Sequence, residues 1–167
     1  MESVQRSRAP SPGEVHVLPV ARGAAAWRGG PEAGGYSREQ LEAVIARTPF
    51  ASWLDAKLEA YGNGHVALSV PLRRELTMHH GFAHGAVIGF LADSACAWAA
   101  TSLVGDVLTA EYKLNLMAPG AGDVLMSVGD VIDVSGRQVV CRADVFSVLG
   151  ERTRLVATAL ATLARYK

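Results

Sequence analysis

The chain of 167 residues has the length of one ordinary domain. Half of its residues are apolar and 19% are charged, a composition that excludes disorder over most of the chain. Its 16 basic and 16 acidic residues cancel, and a neutral chain lacks the basic surface that binds nucleic acid or an anionic membrane. We therefore expect neither partner, and the weak repulsion between copies permits self-association.

The first 36 residues differ in composition from the rest of the chain. They carry four of the seven prolines and six of the 17 glycines without a sustained period, which predicts a flexible tail over 1–36. No apolar signal segment opens the chain. Cys96 and Cys141 lie far apart in apolar stretches, which predicts buried thiols in a reducing compartment. The expected location is cytoplasmic.

An ordered domain is predicted over 37–167. A capping box at Ser37–Gln40 predicts the start of one helix, and Thr48-Pro49 predicts the start of a second, shorter one. Apolar and polar residues alternate from His65 to Leu72, which predicts a half-buried strand. The turn at 61–64 predicts that an earlier strand near 55–60 pairs with it as a hairpin.

Residues 85–105 form a stretch whose single charge is Asp93. Its length would suffice to span a bilayer. A carboxylate in the middle of the segment, and small residues in place of Leu and Ile, instead favour a helix over about 85–103 that other protein elements surround. We expect no membrane span.

Four alternating runs follow, and Gly-rich turns separate them. They predict consecutive antiparallel strands that begin near Thr109, Val124, Val139 and Leu155, arranged as a four-strand meander. A helix that is apolar on all sides stays dry only if a twisted sheet curves around it. The predicted fold is therefore α+β, with a curved antiparallel β-sheet wrapped around one long central helix.

The start of this helix carries the pattern that points most directly to chemistry. Unpaired N–H groups and the positive end of the helix dipole favour a group that carries or develops negative charge. Asp93 follows Gly85 by eight residues, about 12 Å along a helix. Because this distance is too long for both to act on one carbonyl, the pair predicts a site in which Asp93 of one chain faces Gly85 of another.

Three histidines, His79, His80 and His84, precede the helix and permit several interpretations. Each is compatible with a helix cap or another structural role, and together with Asp93 they resemble a set of metal ligands. No His-x-x-x-His pair lies on one helical face, so we predict no metal. Asp93 is harder to explain by structure alone, because a carboxylate in an apolar helix is costly unless it serves a function or a specific network.

Four segments together form a more specific pattern. They are His84-Gly85-Ala86, the segment Leu91–Ala95 with Asp93 eight residues after Gly85, the strand Leu108–Pro119, and the turn Ser135-Gly136-Arg137. The pattern resembles that of hotdog-fold acyl-CoA thioesterases of the PaaI-like, phenylacetate-pathway type, over about residues 50–165. The resemblance implies a homodimer or homotetramer that hydrolyses an acyl-CoA, with CoA as part of the substrate and no further cofactor.

The resemblance also assigns roles to individual residues. The Gly85 N–H would hold the oxyanion, Asp93 of the partner chain would act as general base or nucleophile, and Thr109 would help to place the water. Arg137 resembles a basic residue near the CoA phosphates. The implied catalytic set is Gly85, Asp93, His84 and Thr109, and the implied substrate-binding set is His79, His80, Phe82, Ala86, Gly136 and Arg137.

Departures from the family pattern keep a second hypothesis open. Many members carry Asn or Gln where this chain has Met78-His79-His80, and Ala86 replaces the commoner Gly. The alternative is a hotdog protein that binds an acyl-CoA or a related thioester without turning it over. A hotdog dehydratase is disfavoured, because its His and Asp lie closer together on one chain. Phe82, Phe90 and Trp98 suggest a medium-chain or aromatic acyl group, or else they belong to the core.

Overall fold

A computed structural model describes residues 34–166, so most of the predicted tail lies outside the described residues. The described part contains three α-helices, one turn of 3-10 helix at Arg74–Leu76 and six strands. In chain order the helices and strands are α1 (Arg38–Arg47), α2 (Pro49–Trp53), β1 (Lys57–Gly62), β2 (His65–Pro71), α3 (Gly85–Val104), β3 (Val107–Leu116), β4 (Val124–Ser135), β5 (Gln138–Leu149) and β6 (Arg152–Arg165).

The predicted start of α1 is confirmed. The Ser37 hydroxyl accepts the Gln40 N–H at 3.2 Å, and the Ser37 N–H donates to the Gln40 side chain at 2.7 Å. This reciprocal pair satisfies two donors that a helix end leaves open. Pro49 opens α2 as predicted, because its fixed φ suits the first turn of a helix.

All neighbouring strands of the sheet are antiparallel, in the order β1-β2-β4-β5-β6-β3. The predicted hairpin of β1 and β2 is confirmed, but the predicted four-strand meander is wrong in one respect. β3 pairs with β6 and not with β4, so it forms one edge of the sheet. The physical reason lies in the connection 117–123, which is too long for a tight hairpin and carries the chain across the sheet to β2.

The long helix α3 packs inside the curved sheet, as predicted. It contacts β2, β3, β4, β5 and β6, and most of its residues are buried. It is long and apolar enough to cross a membrane by composition, but 67% of that span is buried within the fold. At Gly129 of β4, a Cβ would lie 2.3 Å from the Ala95 carbonyl oxygen, so the missing side chain lets the helix backbone rest on the sheet.

The flank of α3 that the sheet leaves open is covered by α1 and α2. Phe90 of α3 contacts Phe50 of α2 edge-to-face at 5.4 Å between ring centroids, and it contacts Trp98 in the same way at 6.3 Å. Leu41, Ile45 and Ala51 are buried beneath these rings. Phe90 and Trp98 therefore serve as core packing.

Both cysteines are buried free thiols, as predicted. Burial raises the pKa of the Cys96 thiol far above its usual range. Burial, with a smaller contribution from the Asp130 charge, raises the pKa of Cys141 to about 12. The thiolate is the reactive form of cysteine, so both side chains act as small apolar groups.

Candidate active site

The first turn of α3 leaves one backbone donor free. His84 is the N-cap, and its Nδ1 accepts the Ala86 N–H at 3.0 Å. The His84 carbonyl oxygen accepts the Val87 N–H at 2.9 Å. Among residues 34–166 the Gly85 N–H has no hydrogen-bond partner. It is therefore the donor at the positive end of the helix that remains available to a ligand.

Packing does not explain why residue 85 is a glycine. A Cβ at this position would contact Leu116 Cδ1 at 3.7 Å, an ordinary van der Waals distance. Gly85 is half-buried, while His84 and Ala86 on either side of it are exposed. The absence of a side chain instead keeps the Gly85 N–H open to approach from solvent.

Asp93 lies about two turns further along α3 and is half-buried. Its Oδ1 accepts a hydrogen bond of 2.7 Å from the Thr109 hydroxyl on β3. No hydrogen bond to the Asp93 Oδ2 exists within the described part of the chain. A neutral donor thus fixes one oxygen of the carboxylate, and the other is free to accept a proton or to attack a carbonyl.

Strand β3 runs beside the Gly85 and Asp93 side of α3, in the opposite direction. Leu116 lies next to Gly85, and the Tyr112 hydroxyl lies 3.3 Å from the position of a Cβ on Gly89. A bulge between Thr109 and Glu111 interrupts the register with β6, just where Thr109 meets Asp93. Tyr112 was not predicted as part of this region. The feature of the sequence that could have indicated it is Gly89, which lies one helical turn from both Gly85 and Asp93 and leaves space for the Tyr112 hydroxyl.

The predicted site residues fall into two groups on one chain. The first group surrounds the start of α3 and consists of His79, His80, Phe82, His84, Gly85 and Ala86. The second group lies toward the other end of the sheet and consists of Asp93, Thr109, Gly136 and Arg137. About 12 Å of helix separates Gly85 from Asp93, so one chain does not bring the two groups onto the same carbonyl.

The register of the sheet places the Gly136-Arg137 turn with the second group. Thr109 is opposite Leu163, and Leu163 is opposite Val139, which follows Arg137 by two residues. The Arg137 carbonyl oxygen also accepts the Arg165 N–H at 2.9 Å. The exposed Arg137 side chain is therefore at the same end of the sheet as Thr109 and Asp93.

The loop before α3 presents its side chains to solvent. The rings of His79 and His80 are 3.7 Å apart between centroids, and both residues are exposed. Phe82 is 37% exposed, and its carbonyl oxygen accepts the Met78 N–H at 2.8 Å, which closes the loop. Within residues 34–166 no three His, Cys, Asp or Glu side chains are grouped so as to hold a metal ion.

Comparison with known proteins identifies the family. The profile described as the Thioesterase superfamily matches residues 80–152. A thioesterase family protein from Silicibacter pomeroyi is 32% identical and has a similar structure, with a TM-score of 0.72 over 74% of this chain and 93% of that chain. The chain belongs to the thioesterase superfamily.

Two PaaI proteins also resemble this thioesterase. A point mutant of the phenylacetic acid degradation protein PaaI from Thermus thermophilus is 28% identical, with a TM-score of 0.63 over 71% of this chain and 99% of that chain. The Escherichia coli PaaI protein from the phenylacetic acid degradation operon is 20% identical, with a TM-score of 0.70 over 77% and 92%, and supports the fold alone. No curated protein matches the chain. The predicted PaaI-like family and hotdog fold are confirmed.

Proposed function

We propose that this thioesterase hydrolyses an acyl-CoA to the free acid and CoA in a site shared by two copies of the chain. The observation that carries the proposal is the pair of free groups on one side of α3. The Gly85 N–H and the Asp93 Oδ2 both lack a partner within residues 34–166 and lie about two helical turns apart. Two helices in antiparallel orientation would place Gly85 of one copy opposite Asp93 of the other.

In this proposal the Gly85 N–H donates to the thioester carbonyl oxygen. The donor and the helix dipole stabilise the negative charge that develops on this oxygen when the carbonyl carbon is attacked. The His84 cap keeps the neighbouring Ala86 N–H occupied, so the ligand is directed to Gly85. Loss of such a donor typically reduces kcat by about 10² to 10³.

Asp93 of the partner subunit supplies the second half of the chemistry. As a general base, its Oδ2 takes a proton from a water that attacks the carbonyl carbon, after which the C–S bond breaks and CoA leaves as the thiol. As a nucleophile, it attacks the carbonyl carbon itself, the C–S bond breaks and CoA leaves as a thiolate that takes up a proton, and water then hydrolyses the resulting acyl anhydride to the free acid and the Asp93 carboxylate. Thr109 fixes the carboxylate in either route through its hydrogen bond to Oδ1.

The remaining exposed residues provide the binding surface in this proposal. His79, His80 and Phe82 border the entrance at the start of α3, where the acyl group or the pantetheine arm would pass. Arg137 at the opposite end provides a positive charge for the CoA phosphates. We propose a medium-chain or aromatic acyl group, a homodimer or homotetramer as the working assembly, and the cytoplasm as the compartment.

Release of free thiol from a panel of acyl-CoAs tests the proposal, with wild type beside Asp93→Ala and Gly85→Pro. Proline suits the first position of a helix, and His84 already has the extended conformation that a residue before proline needs (φ −65°, ψ 138°). Gly85→Pro therefore removes the N–H with little cost to the fold. Gly85→Ala retains the N–H and separates loss of the donor from loss of the glycine.

We expect turnover of at least one acyl-CoA, with a loss of at least about a hundredfold in Asp93→Ala and Gly85→Pro. Gly85→Ala should lose less than Gly85→Pro. Size-exclusion chromatography must show that the assembly is unchanged. Binding of acyl-CoA without turnover would instead identify a non-catalytic binding protein, and the Met78-His79-His80 loop would be the first place to look for the reason. A protein that neither binds nor hydrolyses any of the acyl-CoAs would refute the proposal.

A further inference from the structure

Tyr112 of β3 lies against α3 at a place where the helix has no side chain. Its hydroxyl is 3.3 Å from the position that a Cβ on Gly89 would occupy. Glycine in the interior of a helix is destabilising relative to alanine, so its presence in the middle of α3 requires a reason. The bare backbone at Gly89 provides the space that the end of the Tyr112 side chain occupies.

The Tyr112 ring adds bulk beside α3 without joining the core. It is 43% exposed. Its hydroxyl has no hydrogen-bond partner among residues 34–166, although a tyrosine hydroxyl in packed surroundings usually has one. The described fold therefore gains no hydrogen bond from this side chain, and the ring borders open space between β3 and α3.

Tyr112 lies one helical turn from the groups of the proposed catalysis. Gly85, Gly89 and Asp93 follow one another at intervals of four residues and so share one side of α3. Leu116 contacts the Cβ position of Gly85, and Tyr112 contacts that of Gly89. A thioester carbonyl held by the Gly85 N–H is therefore about 6 Å from the Tyr112 hydroxyl, measured along the helix.

The surroundings of the proposed shared site differ on its two sides. On one side lie the exposed His79 and His80 of one copy and the exposed Arg137 of the second copy. The CoA moiety is large and carries several charges, which are costly to bury, so it belongs on this solvent side. The other side is bordered by Gly89 and Tyr112, and it is the direction that remains for the acyl group.

We propose that Tyr112 forms the end wall of the acyl-binding pocket and sets the length of the acyl group that this thioesterase accepts. The proposal rests on the shared Gly85 and Asp93 site of the proposed function. An extended chain advances about 1.25 Å per carbon for C–C bonds of about 1.5 Å. The space of about 6 Å between the carbonyl and the ring therefore holds an acyl chain of about six carbons, the carbonyl included, or a single aromatic ring.

Thiol release from straight-chain acyl-CoAs, from butyryl to decanoyl, tests the proposal. In wild type, kcat/KM should rise by up to about fourfold with each methylene that enters the apolar pocket and fall beyond about six carbons. Tyr112→Ala removes the wall, so the optimum should move to chains longer by about two carbons or more. The ratio of kcat/KM for decanoyl-CoA to that for butyryl-CoA should rise by at least about tenfold, mainly through a lower KM for the long chain. An unchanged optimum in Tyr112→Ala would overturn the proposal.

Two further variants separate the bulk of the ring from other effects. Tyr112→Phe removes the hydroxyl and keeps the ring, so it should retain the wild-type optimum. A Tyr112→Phe profile that matches Tyr112→Ala would assign the effect to the hydroxyl and overturn the wall. Leu160→Ala is the matched control, because Leu160 is 52% exposed on β6 between the buried Ala159 and Ala161, on the face away from α3. It should retain the wild-type length profile.

A stability comparison tests the contact between Tyr112 and Gly89 without any substrate. Gly89→Ala improves helix propensity but crowds the Tyr112 hydroxyl at 3.3 Å. Gly89→Ala should therefore raise Tm more in the Tyr112→Phe background than in the wild-type background. Equal changes of Tm in the two backgrounds would show that the hydroxyl does not lie against Gly89 and would contradict the proposal.

Equilibrium binding of the same acyl-CoAs separates this inference from the proposed function. In Asp93→Asn, which lacks the proposed base, Kd should weaken beyond about six carbons, and the additional change Tyr112→Ala should abolish this limit. Such a limit in a protein without turnover would leave the inference standing and refute only the proposed hydrolysis. Turnover with a length profile that Tyr112→Ala does not alter would refute the inference alone. A protein that neither binds nor hydrolyses the acyl-CoAs would refute both.

Discussion

Two aspartates of this thioesterase, Asp93 and Asp130, are each held by one short side-chain hydrogen bond, yet they sit in different surroundings. Asp93 accepts from the Thr109 hydroxyl at 2.7 Å, beside the edge strand. Asp130 pairs with His65 Nδ1, also at 2.7 Å, in the register between β2 and β4 inside the sheet. The same bond length therefore occurs beside the edge strand and between two inner strands of the sheet.

The partners decide what each carboxylate is able to do. His65 is 6% exposed, and its Nε2 is buried with no hydrogen-bond partner in residues 34–166. Breaking that pair would leave a buried polar ring without its remaining bond, so Asp130 has a structural role. Each carboxylate keeps one oxygen without a hydrogen-bond partner within residues 34–166, but the donor to Asp93 is the neutral Thr109 hydroxyl on the edge strand. A carboxylate with a spare lone pair at an open edge is suited to proton transfer.

The largest expected effect comes from Asp93→Asn compared with Asp130→Asn. An amide still accepts the Thr109 hydrogen bond but is neither a base nor a carboxylate nucleophile, so kcat should fall by at least about a hundredfold. Asp130→Asn should keep kcat within about twofold of wild type, because Asp130 has no role in the proposed chemistry. Thiol release with the preferred acyl-CoA measures both. Equal losses in the two variants would erase the distinction between the two carboxylates.

The next effect concerns stability and reverses the order of the two sites. His65→Ala removes a buried ring and leaves Asp130 without its partner, which should lower the free energy of unfolding by about 2 kcal/mol or more. Asp93→Asn should lower it by less than about 1 kcal/mol, since the Thr109 bond survives. Denaturant unfolding at neutral pH measures both values. A larger loss of stability in Asp93→Asn than in His65→Ala would show that Thr109 and Asp93, rather than His65 and Asp130, form the structurally important pair.

A smaller effect is expected at Thr109. Thr109→Val keeps the shape of the side chain and removes the donor, so the Asp93 carboxylate loses its fixed orientation and kcat should fall by about tenfold. Thr109→Ser retains the hydroxyl and should recover most of the rate. If Thr109→Ser is as slow as Thr109→Val, the methyl group rather than the hydrogen bond positions Asp93.

The last effect is negligible at neutral pH and concerns the buried core, where Cys141 lies. Its pKa is raised from 9.0 to about 12 by burial, so the unfolded chain releases the thiol proton at lower pH than the folded chain. The contribution of this thiol to the free energy of unfolding is fully present below its pKa in the unfolded chain, and it is lost as pH rises toward its pKa in the folded chain. The free energy of unfolding should therefore decline from about pH 9 upward, by at most about 1.4 kcal/mol per pH unit for this thiol. Denaturant unfolding of Cys141→Ala should show a shallower decline, and an unchanged slope would contradict the assignment.

Local patterns were sufficient for most of the fold. The reciprocal bonds of Ser37 and Gln40, the surrounded helix α3 and the alternating strands all follow from contacts within a few residues of sequence. The start of α3 at Gly85 and the single charge at Asp93 were visible for the same reason. The catalytic roles of Gly85 and Asp93 came from the resemblance to the family. Each segment of the family pattern is common by itself, and only their combination is specific.

Long-range pairing was the part that sequence patterns did not reveal. The hydrogen bond from His65 to Asp130 joins residues 65 positions apart, and no local period marks either one. The partner of β3 was also mispredicted, because alternation identifies a strand but not its neighbour. The position of the Tyr112 hydroxyl over Gly89 depends on that same pairing.

The sequence by itself determined where the helices and strands begin, that α3 is surrounded by protein, and that Gly85 and Asp93 lie two turns apart on it. These properties depend on short-range periodicity and capping, which the residue order records directly. Only the tertiary structure decided that β3 is an edge among the described strands, that Thr109 holds Asp93 there, and that Tyr112 lies at the midpoint between Gly85 and Asp93. Each of these depends on which strands are neighbours in the sheet. That pairing is decided only when the whole sheet packs around α3.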